Sequence, residues 1–119
     1  MNVVFCRIFQ FVFNYGAKIM PWRKPMLIDG AGSIKKIPDI LQIHPVKKPM
    51  IVTDPGIVKA GISAMLTKIL EQAGYKYSLF DNVEPNPSIN TVNAIHDLYK
   101  SEKCDGFIAI GGGSPMDAA

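Results

Sequence analysis

Apolar and polar positions change period several times along this chain. In residues 1–20, Arg7, Gln10, Asn14 and Lys18 recur every three or four positions and leave Val3, Val4, Ile8, Phe11, Val12 and Tyr15 on the opposite side. That spacing predicts an amphipathic helix. The interruptions leave no unbroken apolar run near the roughly 20 residues a membrane span needs. The basic start and small-residue cleavage site of a signal peptide are missing as well. The apolar face is expected to pack on protein, because the polar face holds only two cations; a helix lying on a membrane surface is the alternative. Pro21 should end the helix, since a residue before proline is pushed out of helical conformation. Trp22 and Arg23 are expected to anchor it.

Met26–Asp29 reads as a short extended segment and Gly30-Ala31-Gly32 as a turn. Ser33 is expected to cap a helical turn with Ile34, Ile37, Ile40 and Leu41 on one face. Pro38 suits a helix that restarts with proline in its first turn. The period then shortens. Pro49–Thr53 is an apolar run bounded by turn residues and predicts a buried strand. After the expected turn Asp54-Pro55-Gly56, apolar residues from Val58 to Leu70 return to helical spacing, with Gly74 as the stop. Tyr77–Phe80 predicts a second strand. Asp81–Pro87 is a loop, and Ser88 should cap a helix with Ile89, Val92, Ile95 and Tyr99 inward. Gly106–Ile110 predicts a third strand with almost no polar atom. Strands apolar on both faces belong to parallel sheets covered by helices. The alternation of strand and helix therefore predicts an α/β fold with right-handed crossovers. The chain ends at Ala119, just after a helix should begin, and reads as a domain truncated there, with an exposed face and poor solubility.

Composition narrows the function classes only a little. At 119 residues, 48% hydrophobic and 19% charged, the chain can build one globular core. The net charge of +3 is spread thinly over pairs such as Lys35-Lys36 and Lys47-Lys48, unlike the clustered footprint of a nucleic-acid binder. Cys6 and Cys104 lie far apart and form no C-x-x-C, so neither a metal knuckle nor a disulfide framework is supported. Two cysteines kept as thiols suit a reducing cytoplasm. His44 and His96 lack ligand spacing and are expected to be structural or solvated.

The residues that carry chemistry follow the third strand: Gly111-Gly112-Gly113-Ser114-Pro115-Met116-Asp117. Glycines let backbone approach a ligand closely. Ser114 is a good cap, Pro115 suits a first helical position, and Asp117 stands where a carboxylate serves a capping box. N–H groups at a helix start bind anions, and the carboxyl end of a parallel strand is where open α/β sheets bind ligands. A phosphate site is the reading favoured here, with a plain tight turn as the alternative. Neither G-x-G-x-x-G nor a P-loop lysine is present. Asp54 ends the first predicted strand, where a carboxylate can accept from ribose hydroxyls and repel the extra phosphate of NADP. It serves equally as a turn former before Pro55-Gly56. Glu84-Pro85-Asn86-Pro87 is by itself a rigid turn.

Together, Val52-Thr53-Asp54, Val83-Glu84-Pro85-Asn86-Pro87 and the glycine run resemble the iron-containing alcohol dehydrogenase family, as does Gly30-Ala31-Gly32-Ser33. The resemblance covers roughly residues 25–119, and extends less distinctly to the leading helix with Pro21-Trp22-Arg23-Lys24-Pro25. It implies an incomplete Rossmann-like parallel sheet with flanking helices, preceded by a helix and connector over residues 1–24. It implies NAD as cofactor, with Asp54 on the adenosine ribose and Asn86 facing the cleft. Gly112, Gly113 and Ser114 would then cradle the diphosphate, and Asp117 would lie towards the nicotinamide. The family holds Fe2+, or Zn2+, through an Asp and three His of an all-helical second domain that this chain lacks. The metal would polarise an alcohol oxygen while hydride passes to the nicotinamide. The implied activity interconverts an alcohol and an aldehyde or ketone, and a homo-oligomer is compatible with it. Rival readings are a glycerol dehydrogenase or dehydroquinate synthase relative, and a non-catalytic nucleotide-binding fragment.

Overall fold

A computed structural model describes residues 3–21 and 25–119, with Phe5 described by its backbone alone. The expected anchoring by Trp22 and Arg23 lies outside the described residues. Helix α1 spans Val3–Ile19 and stops before Pro21, as the proline requires. Its apolar face is not packed on the described body: Ile8, Phe11 and Val12 are 59%, 72% and 63% exposed. The packing expected of that face is not made by the described residues. Within the helix, aromatic neighbours one turn apart meet, Phe9 with Phe13 and Phe11 with Tyr15.

The body begins with a 3-10 turn over Ser33–Lys36 that runs into α2, Ile37–Ile43. Pro38 stands in the first turn of α2, where its missing N–H has no helical acceptor to lose. Ser33 does not cap: Gly32 takes that position, and no side-chain cap bond forms. Met26–Asp29 forms no strand, since a lone extended segment has no ladder to join. Strand β1 is Pro49–Val52, β2 is Ser78–Phe80 and β3 is Gly106–Ala109. All pairings are parallel, in the order β2-β1-β3. The one long helix expected after Asp54 is two, α3 over Pro55–Lys59 and α4 over Ile62–Gln72. Gly61, at φ 75°, breaks the run: a left-handed residue cannot continue a right-handed ladder. Helix α5 spans Ile89–Ser101 and α6 spans Gly113–Ala118. On α5 only Ile95 is fully buried; Ile89, the first helical residue, is 79% exposed and Val92 42%.

The central strand explains the core. Every residue of β1 is buried, and alternate side chains serve opposite faces. Met50 and Val52 pack with Val83, Ile95, Cys104 and Ala118, the side of α5 and α6. Ile51 packs with Leu41, Leu66 and Leu70, the side of α2 and α4. Crossovers of one hand that run first to β2 and then back over to β3 must place their helices on opposite faces, as observed. On the edge strand, Phe107 remains 44% exposed although Tyr99 stacks on it at 4.5 Å.

At the amino ends of the strands, Asp105 accepts from the N–H groups of Lys47 and Lys48, each at 2.8 Å. These two bonds hold its carboxyl below the ordinary range. Lys48 also pairs with Glu102 at 2.8 Å and lowers that carboxyl in turn.

Candidate functional site

The chain reverses direction across β1, so a crevice opens at the carboxyl ends of β1 and β3, between the loops that lead away to opposite faces. Asp54 and Gly111 meet there. Asp54 is half-buried and caps α3, its Oδ1 accepting from Ile57 N at 3.0 Å. The expected turn at Asp54-Pro55-Gly56 is therefore a helix start, with Pro55 in its first turn. The other carboxylate oxygen lies beside Gly111: a Cβ on this glycine would come to 3.0 Å from Asp54 Oδ2 and 2.9 Å from Pro115 Cγ. Gly111 also has φ 137°, a conformation side chains rarely adopt. Glycine is required there twice over. Gly112 and Gly113, by contrast, have open space where a Cβ would stand.

The glycine loop starts α6 two residues earlier than its composition predicts. Gly112 is the N-cap and Gly113 the first helical residue, so Ser114 and Pro115 sit inside the first turn. Ser114 makes no cap bond, and Asp117 is exposed on the following turn rather than closing a capping box. Gly112 takes the extended cap conformation, two residues before the serine. The N–H groups of Gly112, Gly113 and Ser114 precede the helical ladder and face out of its start.

Thr53, which the sequence reading treated only as strand, joins the pieces. It is fully buried, and its hydroxyl donates to Ile110 O at 3.0 Å. Its N–H donates to Phe80 O at 2.9 Å, and its carbonyl accepts from Val83 N at 3.2 Å. One residue thus binds together the carboxyl ends of all three strands and the start of the next loop. A hydroxyl residue as the last member of an apolar strand was the available signal, because a buried hydroxyl must find a partner.

That loop holds Asn86 at φ 56°, exposed, between two prolines. Asparagine tolerates the left-handed region better than most residues. Ser88 caps α5 as expected, accepting from Thr91 N at 3.2 Å. Glu84 adds bonds from Thr91 Oγ1 at 2.7 Å and Ser88 N at 3.1 Å. The Thr91 hydroxyl first, then the Ser88 N–H, holds the Glu84 carboxyl below its ordinary value. Beside Asp54, an open cleft of about 270 Å³ is lined by Pro55, Val58, Lys59, Asp81 and Asn82.

The described residues contain no group of three or more His, Cys, Asp or Glu able to hold a metal ion. His44 follows α2 and His96 lies on α5, helices that cover opposite faces of the sheet, so the two cannot converge on one ion.

The family model of the iron-containing alcohol dehydrogenases matches residues 25–119, the whole span from the extended segment through the glycine loop. The chain belongs to that family. A choline dehydrogenase of Bacillus subtilis is 46% identical over 90 residues, covering 76% of this chain and 22% of its own length. Among solved structures, an alcohol dehydrogenase from Oenococcus oeni is 36% identical with a TM-score of 0.71, over 76% of this chain and 24% of its own. The NADH-dependent butanol dehydrogenase A of Thermotoga maritima superposes with a TM-score of 0.75 at 27% identity, over 84% of this chain and 26% of its own. The chain thus spans about a quarter of the length of the family members it matches. It corresponds to their incomplete Rossmann-like α/β portion, and the switch-point crevice is formed by elements inside the family match.

Proposed function

We propose that this chain forms the NAD-binding part of a metal-dependent alcohol dehydrogenase that interconverts an alcohol with an aldehyde or ketone by hydride transfer. The observation that carries the reading is the meeting of Asp54 and the glycine loop at the switch point, within 3.0 Å of an added Cβ. A dinucleotide needs a ribose acceptor and a diphosphate cradle side by side, and this crevice offers both. Asp54 keeps Oδ2 for the adenosine ribose while Oδ1 caps α3. The N–H groups of Gly112, Gly113 and Ser114 receive the diphosphate, and Asn86 borders the cleft. The cleft by Val58 and Asn82 suits the adenosine end. Asp117, exposed beyond the first turn of α6, lies on the side assigned to the nicotinamide. The NADH dependence of the butanol dehydrogenase relative agrees with this cofactor.

The cofactor supplies the hydride chemistry; this chain positions it. The described residues offer no cluster of His, Cys, Asp or Glu that would hold the Fe2+ or Zn2+ of such an enzyme. From Asp29 onward the chain holds nine Lys and Arg against ten Asp and Glu, which suits a small-molecule substrate and no nucleic acid. Cys104, a buried thiol in the core, suits the cytoplasm.

Calorimetric titration of the chain with NAD and NADP, repeated on Asp54→Asn, tests the reading. Asparagine caps helices as well as aspartate does, so α3 should persist while the charge is lost. Wild type should prefer NAD, and the variant should lose most of that preference. A folded wild-type chain that binds neither nucleotide would reduce the glycine loop to a turn.

A further inference from the structure

The first 28 residues carry Arg7, Lys18, Arg23 and Lys24 and no acidic residue before Asp29. The remainder, with nine basic and ten acidic residues, is close to neutral. All of the net positive charge thus sits with α1 and the segment after it. The family model matches residues 25–119, so α1 lies before the residues it covers. Its polar side chains, Arg7, Gln10, Asn14 and Lys18, occupy about a quarter of the helix circumference at the usual helical turn per residue. The wide remainder bears Val4, Ile8, Phe9, Phe11, Val12, Phe13 and Tyr15, every one of them at least 59% exposed.

We propose that α1 docks on the surface of an anionic lipid bilayer, apolar face inward, and tethers the nucleotide-binding body there. Aromatic and aliphatic side chains on one side, with cations and no acids on the other, are the physical requirements of an interfacial helix. The basic residues match a negatively charged surface and would be redundant on a neutral one. The described helix of 17 residues reaches about 26 Å, short of the roughly 30 Å hydrocarbon layer. Consistently, no helix among the described residues is long and apolar enough to cross a membrane. The tether does not depend on the cofactor assignment.

Co-sedimentation of the full chain with two kinds of vesicle tests this. One kind is phosphatidylcholine alone; the other is equimolar phosphatidylcholine and phosphatidylglycerol. The chain should pellet with the anionic vesicles. Val12→Asp, on the middle of the exposed face, should reduce binding at least about tenfold. Arg7→Gln with Lys18→Gln should reduce it roughly twentyfold. Both sites are on a helix that makes no core, so circular dichroism of the body should be unchanged. Equal binding to neutral vesicles, or undiminished binding by Val12→Asp, overturns the proposal. So does a chain that ignores both vesicles and self-associates through this face, an assembly Val12→Asp would dissolve.

Discussion

The Thr53 hydroxyl is shielded from solvent and donates to Ile110 O at 3.0 Å, between the strand end that bears Asp54 and the one that bears Gly111. Replacing it by valine keeps the shape and leaves that carbonyl without its donor. Thr53→Val should therefore lower stability by about 1–3 kcal/mol, the cost of an unsatisfied buried polar group. Thr53→Ser keeps the donor and should recover most of the loss, apart from one methyl group. Thermal unfolding of the two variants measures this. If the clasp also sets the spacing of the crevice, NAD affinity should fall in the valine variant and return in the serine one under conditions where both are folded. Equal behaviour of the two would assign the residue to packing alone. Asp54 presents the same double duty one position later, since one carboxylate oxygen holds a helix start and the other borders the glycine loop.

At the scale of elements, the loop before α5 is held by polar groups rather than by burial, apart from Val83, which is sunk in the core. Glu84 takes hydrogen bonds from Thr91 and Ser88 and so prefers its charged form once folded. Its folded pKa lies below the ordinary 4.5. The stabilisation is therefore complete above that value and disappears as the pH falls through the lowered one. Glu102 and Asp105 act in the same direction through Lys48 and the Lys47 and Lys48 N–H groups. Melting temperature should drop as acid is added across the carboxylate range. Glu84→Gln should make that drop shallower, because one of the groups that must be protonated is gone. An unaltered acid profile in this variant would mean that the Glu84 carboxylate contributes nothing to the folded state. The helix break follows backbone chemistry in the same local way. Gly61 divides α3 from α4 because a residue without Cβ admits a left-handed conformation that its neighbours resist.

The molecule as a whole is elongated, with extents of 59 × 31 × 28 Å and a radius of gyration of 18.7 Å. A compact domain of this length would have a radius of about 13.5 Å. The difference is what an unpacked α1 adds. Small-angle scattering from dilute chain without lipid should give a value near 18.7 Å. A value near that of the compact domain would mean that α1 folds back onto the body and covers its own apolar face. The body itself depends on one fully buried strand, β1, whose alternating side chains are shared between two helical layers. Helices α2 and α4 lie on one side of it, α5 and α6 on the other.

Much of this was legible from the order of residues. The parallel sheet followed from three apolar runs too short for helices and separated by helical spacing. The cap at Ser88 and the stop at Gly74 followed from residue chemistry that acts over one turn, whereas Asp54, expected to form a turn, caps a helix. The family resemblance followed from motifs of the same short range. Tertiary structure alone decided matters that depend on partners distant in the chain. The Thr53 hydroxyl needs Ile110, 57 residues away, and the Asp105 carboxylate needs Lys47 and Lys48. Neither bond leaves a periodic trace. The same holds for Met26–Asp29, which has strand composition but no neighbouring strand, and for α1, whose periodicity defines an apolar face without naming what covers it. Local conformation is written in local sequence because its energies are local. Pairing and burial are properties of two segments at once, and only their meeting settles them.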